Sequence, residues 1–457
     1  MTAINGNDAG LELAATDTVS TSSLGRLARA AAGSFGLSVI QTAIVTITTI
    51  VLARVMGVSD YGSYAFVVAT VTLLGVPAIL GVDRLLIRDL AVYVGDHSYG
   101  LARGLLARAT QQTLVMSLAI ALLAAAGAFV LAGGVVSNDL VAIWVGLMAL
   151  PFLALGRVAQ GGLMGLHRVV TGQFPDLLLR PGLLLASVVV VIVALGPPLS
   201  APLVIGLYAL TMAIACGVAY LLLFSNRPGA MRSEPAAYRG REWLGASVAL
   251  ALLSSTAIIN AQTGIVLLGA IGTPEGAGLY SVAQRGALLV AFPLAAVNAA
   301  IGPTAARLWA ARERGRLQHL VTASSRGVML GSLPIGLIFI VFGQQIITLL
   351  FGPDFAAANA PLAILSVGQL VNAATGSVAV LLVMTGYQHR ATAAMAAGAA
   401  LNVLLGVVLI PAYGEVGAAI AAATSLVVSN LLMVVACRRQ LGLDSTPVGW
   451  PPREART

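Results

Sequence analysis

Apolar runs alternate with short polar breaks along nearly the whole of this chain. An apolar run from Phe35 to Ala53 reaches Arg54 and turns through Gly57-Val58-Ser59-Asp60-Tyr61-Gly62. It then runs back apolar from Ser63 to Val82 and closes on Asp83-Arg84-Leu85-Leu86-Ile87-Arg88-Asp89. Each run is about the ~20 residues a helix needs to cross hydrocarbon, so the pair reads as a transmembrane hairpin. The shape returns at Leu267-Leu268-Gly269-Ala270-Ile271-Gly272, followed by Thr273-Pro274-Glu275-Gly276-Ala277-Gly278 and Leu279-Tyr280-Ser281-Val282-Ala283. The spacings Gly57 to Tyr64 and Gly272 to Tyr280 differ by one residue, which predicts two related halves.

Apolar runs fall at about 33–55, 62–82, 106–132, 140–163, 177–196, 201–224, 244–271, 279–305, 327–350, 361–384, 391–411 and 416–437. The predicted fold is all-α and polytopic, with 12 transmembrane helices in two parallel-repeat six-helix bundles around a central cavity. The predicted segments are a disordered N-terminus (1–30), a first bundle (31–224), a linker (225–243), a second bundle (244–437) and a solvated tail (438–457).

The charge pattern tests this plan. All 25 basic residues are Arg, and with a cytoplasmic N-terminus 22 of them fall in the inside segments. Only Arg54 then falls in an outside loop, while Arg180 and Arg285 fall inside helices. Excess Arg on one face marks the cytoplasmic side, so both termini are expected there. Residues 1–25 lack the apolar core of a signal peptide, so the first apolar run is expected to direct insertion.

Composition narrows the class. Of 457 residues, 58% are hydrophobic and 9% charged, against roughly a quarter charged in a soluble domain. The formal charge of +8 in such a chain points to the membrane surface and not to nucleic acid. Cys216 and Cys437 provide neither a disulfide framework nor a metal site. His97, His167, His319 and His389 have no ligand spacing, and no phosphate-cradling GxxxxGK[ST] sequence is present. No cofactor is expected, and no loop is large enough for a glycosyltransferase site.

The apolar runs carry few polar groups. No acidic residue falls in the middle of a predicted span, and Asp176 is read as lying at the inside boundary. Arg285 falls about six residues into a span, roughly 9 Å deep. Arg180 falls a few residues into another span, and Arg54 caps the first. Intramembrane charge is costly and marks a cavity or a partner. Arginines without a carboxylate suit an anionic ligand, because a guanidinium meets phosphate oxygens as a fork. The plainer reading of Arg180 is snorkelling to headgroups, and of Arg54 an interfacial residue.

Ser38, Gln41, Val45 and Thr48 share one helical face, and Thr256, Asn260 and Thr263 repeat the stripe in the second half. Asn298, Gln369, Asn372 and Asn402 are further polar residues in spans, for which helix-to-helix hydrogen bonding is the plainer reading. The candidate substrate-binding set is Arg54, Arg180, Arg285, Gln41, Asn260, Asn298, Gln369 and Asn372. Arg84 and Arg88 are candidates for a cytoplasmic entrance and read equally as topology anchors.

Four stretches carry a family resemblance. They are Leu52-Ala53-Arg54-Val55-Met56-Gly57-Val58-Ser59-Asp60-Tyr61-Gly62-Ser63-Tyr64 with Gly81-Val82-Asp83-Arg84; Gly278-Leu279-Tyr280-Ser281-Val282-Ala283; Phe351-Gly352-Pro353-Asp354-Phe355; and Tyr413-Gly414-Glu415-Val416-Gly417-Ala418-Ala419-Ile420. Together with the 12-span plan, they resemble the polysaccharide-transporter (Wzx-type flippase) branch of the MOP exporter superfamily. The resemblance implies alternating access and a polyprenyl-pyrophosphate-linked oligosaccharide moved from inner to outer leaflet. It also implies a cationic cavity, for which Arg54 and Arg285 are the candidates. The expected protein is a monomer in a bacterial cytoplasmic membrane, with glycan polymerase or glycosyltransferases as further partners. The competing readings are a cation-coupled drug exporter of the same superfamily and a non-transporting scaffold for glycan assembly.

Overall fold

The computed structural model describes residues 8–135 and 137–449, without the side chains of 8–32, 34–35, 138–139 and 252–254. Within these residues the chain is helical throughout its ordered elements, with no strand. The expected N-terminal segment 1–30 falls partly outside them, and the helix is described from Asp8.

The first half holds α1 (Asp8–Ile79), α2 (Tyr99–Leu131), α3 (Asn138–Leu147), α4 (Ala149–Gly165), α5 (Arg180–Leu195) and α6 (Ala201–Ser225). The second half holds α7 (Gly240–Ile271), α8 (Pro274–Val290), α9 (Phe292–Ala310), α10 (Arg314–Phe351), α11 (Asn359–Thr375), α12 (Val378–Met384) and α13 (Gln388–Leu441). Short helical pieces join them.

Among the described residues, eight helices are long and apolar enough to cross a membrane, or up to ten if each of two bent pairs is one span. Two of the eight, of 44 and 54 residues, are long enough for two crossings. The 54 residues of α13 would reach roughly 80 Å as one rod, against about 30 Å of hydrocarbon. This helix breaks at Gly414 (φ 53°, ψ −131°), and α1 breaks at Gly57 (φ 77°, ψ 174°). Both backbones are ones that glycine adopts without a Cβ clash. The breaks fall at the turns expected near 57–62 and 412–415. The expected twelve crossings correspond to taking each broken helix as two spans, alongside the bent pairs.

The two repeated turns meet each other. Gly62 faces the Pro274 carbonyl so closely that a Cβ would lie 1.7 Å from that oxygen, and one on Gly278 would lie 2.7 Å from the Val58 carbonyl. Small residues at both positions thus let backbone pack on backbone across the halves. Tyr61 and Ser281 place their hydroxyls 3.4 Å apart over this contact, and Tyr61 packs edge-on against Phe355.

The linker and tail are docked segments. Gly100 N–H donates to the Glu234 carboxylate at 2.7 Å, Ala237 N–H donates to the Gly100 carbonyl at 2.9 Å, and Arg103 donates to the Arg232 and Glu234 carbonyls. The expectation of a solvated tail is corrected for residues 442–449. Asp444 and Ser445 are buried because the Gln318 amide pairs both ways with the Asp444 backbone, at 2.7 and 2.9 Å, and Ser325 donates to the Ser445 carbonyl. Residues 450–457 of the expected tail lie outside the described residues.

Candidate functional site

A cavity of about 260 Å³ opens inside the first half. Its walls come from α1, α4, the turn before α5, α5 itself and α6, while the second half contributes Gln262, Ile265, Ser281 and Arg285. The expected central cavity is thus lined from both halves, with the first half supplying most of its wall. The close backbone contact at Gly62 and Gly278 brings α1 and α8 together. Before the break at Gly57 the lining of α1 runs from Gln41 to Leu52, about 16 Å of helix, and beyond the break it continues from Tyr61 to Thr72.

Three of the stripe positions expected on the first span, Gln41, Val45 and Thr48, do line the cavity. Thr48 donates to the Ile44 carbonyl at 2.8 Å, which leaves its oxygen free to accept. Tyr64 and Tyr208 pack edge to face on the opposite wall, with ring centres 6.3 Å apart.

The charge of the cavity lies mainly in one cluster. Arg180 donates through Nε to Asp176 Oδ1 at 3.0 Å, and Arg157 Nη2 stands 3.4 Å from Asp176 Oδ2. Each carboxylate oxygen thus meets a different guanidinium. Arg157 also donates to Gln160 Oε1 at 3.3 Å. The local backbone sets up this arrangement. Pro175 cannot donate an N–H inside the helical stretch Val169–Leu195, and residues Pro175–Leu179 widen into a π-helical turn. Such turns recur at functional sites because they re-aim side chains. Here the turn puts Asp176 and Arg180 on one wall, both about a fifth exposed.

Two sequence expectations are corrected by this cluster. Asp176, read as a boundary residue, lies seven residues inside the apolar stretch Val169–Leu195 and lines the cavity. The cavity is therefore not free of carboxylates. Arg157, counted with the inside segments, lies within Leu140–Gly165 and also lines the cavity. Arg180 is in the cavity as expected, but it is paired with Asp176. Arg285 lines the cavity from the second half and makes no ion pair or hydrogen bond among the described residues. Three arginines against one aspartate leave a formal cavity charge of +2.

Other expected site residues lie elsewhere. Arg54 is exposed and donates through Nε to the Leu350 carbonyl at 2.7 Å and through Nη2 to the Leu349 carbonyl. It thus caps the end of α10 across the halves, where a helix C-terminus attracts a cation. Asn260 donates to the Met395 carbonyl at 3.4 Å, and its own carbonyl accepts from Asn402. Gln369, Asn372 and Asn430 form a chain of amides between α11 and α13, at 3.0 and 3.1 Å. These amides join helices and do not line the cavity. Asn298 is also outside it, and its Oδ1 is buried without a hydrogen-bond partner. Arg84 and Arg88 pair with the neighbouring Asp83 and Asp89, at 3.9 and 2.6 Å.

Comparison with known proteins gives the same fold. A profile described as "Polysaccharide biosynthesis protein" matches residues 51–360. The chain is 29% identical over 171 residues to the probable low-salt glycan biosynthesis flippase Agl15 of Haloferax volcanii. That match spans 37% of this chain and 36% of the relative, about a third of its length. Among solved structures, an inward-facing multidrug resistance MATE family transporter of the MOP superfamily superimposes with a TM-score of 0.71 at 15% identity. It covers 88% of this chain and 94% of that one. The lipid II flippase MurJ, in an inward closed conformation, superimposes with a TM-score of 0.65 at 10% identity, covering 88% and 86%.

Proposed function

Starting from the premise that this chain belongs to the polysaccharide biosynthesis protein family, we propose that it is a flippase for a lipid-linked oligosaccharide. The cargo is a polyprenyl-pyrophosphate-linked glycan, carried from the inner to the outer leaflet of a bacterial cytoplasmic membrane by alternating access. Both termini lie on the cytoplasmic side, and the protein works as a monomer without cofactor and without catalytic chemistry of its own. Glycosyltransferases and a glycan polymerase act on the cargo before and after it.

The observation that carries this reading is the charge of the cavity. Arg157, Arg180 and Arg285 line one cavity between apolar helices, with Asp176 the one carboxylate among the lining residues. Charge held there is costly unless a ligand or partner uses it. Guanidinium groups match pyrophosphate oxygens in geometry and charge. The tyrosines and hydroxyls of the other wall suit the first sugar, while the glycan chain and the isoprenoid lie beyond a cavity of this size. A drug exporter draws some support from Asp176, since a cavity carboxylate can bind a cation. That carboxylate is outnumbered by the two guanidinium groups already on it.

The test is depletion of the protein in its host, with extraction of polyprenyl-linked glycans and assay of their accessibility at the outer face. The expected result is accumulation of an inner-leaflet, pyrophosphate-linked oligosaccharide, relieved by wild type and at least tenfold less well by Arg285→Gln. No accumulation, with new sensitivity to cationic compounds, overturns the reading in favour of drug export. Relief by wild type and Arg285→Gln alike keeps the flippase and removes Arg285 from it.

A further inference from the structure

The carboxylate at the centre of the arginine cluster has no part in holding an anion. Asp176 nevertheless occupies the place an anion would take. Its two oxygens meet Arg180 Nε at 3.0 Å and Arg157 Nη2 at 3.4 Å. Two oxygens of one phosphate, forked between the same guanidinium groups, would make the same contacts. The side chain lines the cavity and remains about a fifth exposed, so an arriving ligand reaches it. Arg285 stands apart, on the other half and without a partner among the described residues.

We propose that Asp176 is an internal counterion that the cargo's pyrophosphate displaces, and that a second phosphate on Arg285 is what lets a diphosphate, and not a monophosphate, win that exchange. The proposal deepens the flippase reading and rests on it. In the empty carrier, Asp176 neutralises part of a charge that would otherwise stand bare in the membrane. A ligand with a single phosphate competes for the same two arginines with little to add. A pyrophosphate brings a second phosphate, which the unpaired Arg285 meets, and so wins the exchange. Asp176 also favours release, because it returns to the arginines as the cargo leaves.

A carboxylate that merely tied α4 to the turn before α5 would behave differently. Its loss would loosen the site and weaken every ligand. Loss of an internal competitor tightens binding instead. The outcome is therefore opposite in sign for the two roles.

The experiment compares detergent-purified wild type, Asp176→Asn and Asp176→Glu. Binding is measured with farnesyl pyrophosphate and farnesyl monophosphate as probes, and flipping of a fluorescent polyprenyl-pyrophosphate glycan is measured in proteoliposomes. Asp176→Asn is expected to bind both probes more tightly, by roughly tenfold, as removal of an opposing charge at this range implies. The gain is expected to be alike for the two probes, because each displaces the same carboxylate, so the preference for the diphosphate persists. Flipping is expected to show a lower KM together with a lower kcat, and Asp176→Glu to restore wild-type values. Unchanged or weaker binding by folded, monodisperse Asp176→Asn overturns the proposal, as does loss of the preference for the diphosphate. Tighter binding by Asp176→Asn, with no glycan flipped by wild type, keeps the displacement but overturns the flippase reading. If no variant binds either probe, both fall.

Discussion

Gly62 offers the most direct test of how the halves meet. An Ala there would put its Cβ 1.7 Å from the Pro274 carbonyl oxygen and 3.0 Å from Gly278 N. An ordinary carbon-to-carbonyl contact is about 3.3 Å, so α1 and α8 would have to part by roughly 1.5 Å at this point. Both surfaces are backbone, and no rotamer change relieves the clash. Overpacking costs about 1–3 kcal/mol where side chains can adjust, and the upper end applies here. A bias of about 3 kcal/mol against the closed contact shifts the ratio of closed to open forms by more than a hundredfold. Gly278→Ala overlaps less, at 2.7 Å from the Val58 carbonyl, and should shift the ratio less. Gly217→Ala, whose Cβ meets nothing within 4 Å, is the control. The assay replaces Cys216 and Cys437 with Ala, installs Thr49→Cys on the cavity wall, and follows labelling by a membrane-impermeant maleimide added at the face of the turns. Labelling should rise at least tenfold for Gly62→Ala, by an intermediate factor for Gly278→Ala, and not at all for Gly217→Ala. Equal labelling in all three, with unchanged thermal stability, would refute the backbone contact.

Three further outcomes are expected. Arg54→Gln removes two charge-assisted hydrogen bonds to the end of α10, and should raise turn-face labelling in the same direction as Gly62→Ala but by less. Arg54→Lys should not restore it, because an ammonium cannot fork to two carbonyls as a guanidinium does. Asn372→Leu strips partners from Asn430 and Gln369 and should lower stability by about 1–3 kcal/mol, read as a thermal shift, while farnesyl pyrophosphate binding holds. Gln318→Leu frees the backbone of Asp444 and should make the C-terminal segment cleavable by a protease that leaves the rest of the wild-type protein intact.

Much of this architecture was legible because hydropathy and glycine act locally. Apolar run lengths gave the helices, and Gly57 and Gly414 gave the breaks in α1 and α13. The stripe through Gln41, Val45 and Thr48 pointed into the cavity because no neighbouring helix covers that face of α1. The matching stripe on α7 was misleading for the opposite reason: α13 packs over Asn260, and the lining falls to Gln262 and Ile265 instead. Arg285 was legible as a charge too deep to leave the membrane cheaply. Asp176 was not, because a window that favours apolar residues ends a span at its last charge and so started this one at 177, just past Asp176, when the apolar helical stretch begins at Val169. The available signal was Pro175 within a longer apolar stretch, where a proline forces the helix to widen. Arg54 looked like an entrance charge from its position. Its carbonyl partners on α10 are nearly 300 residues away, beyond any local pattern.

The docking of the linker bears on how far the halves can travel. Nineteen free residues would span up to roughly 65 Å. The hydrogen bonds of Glu234 and Ala237 to Gly100 fix most of that length to the first half, and the Trp243 indole adds a further tie to the Tyr93 hydroxyl at 3.1 Å. Only the residues between Ala237 and Trp243 are left as slack, a reach of about 17 Å even when fully drawn out. The covalent bridge between the halves is thus a short joint and not a leash. Their relative motion is confined to swivelling about a fixed point, which excludes wholesale separation.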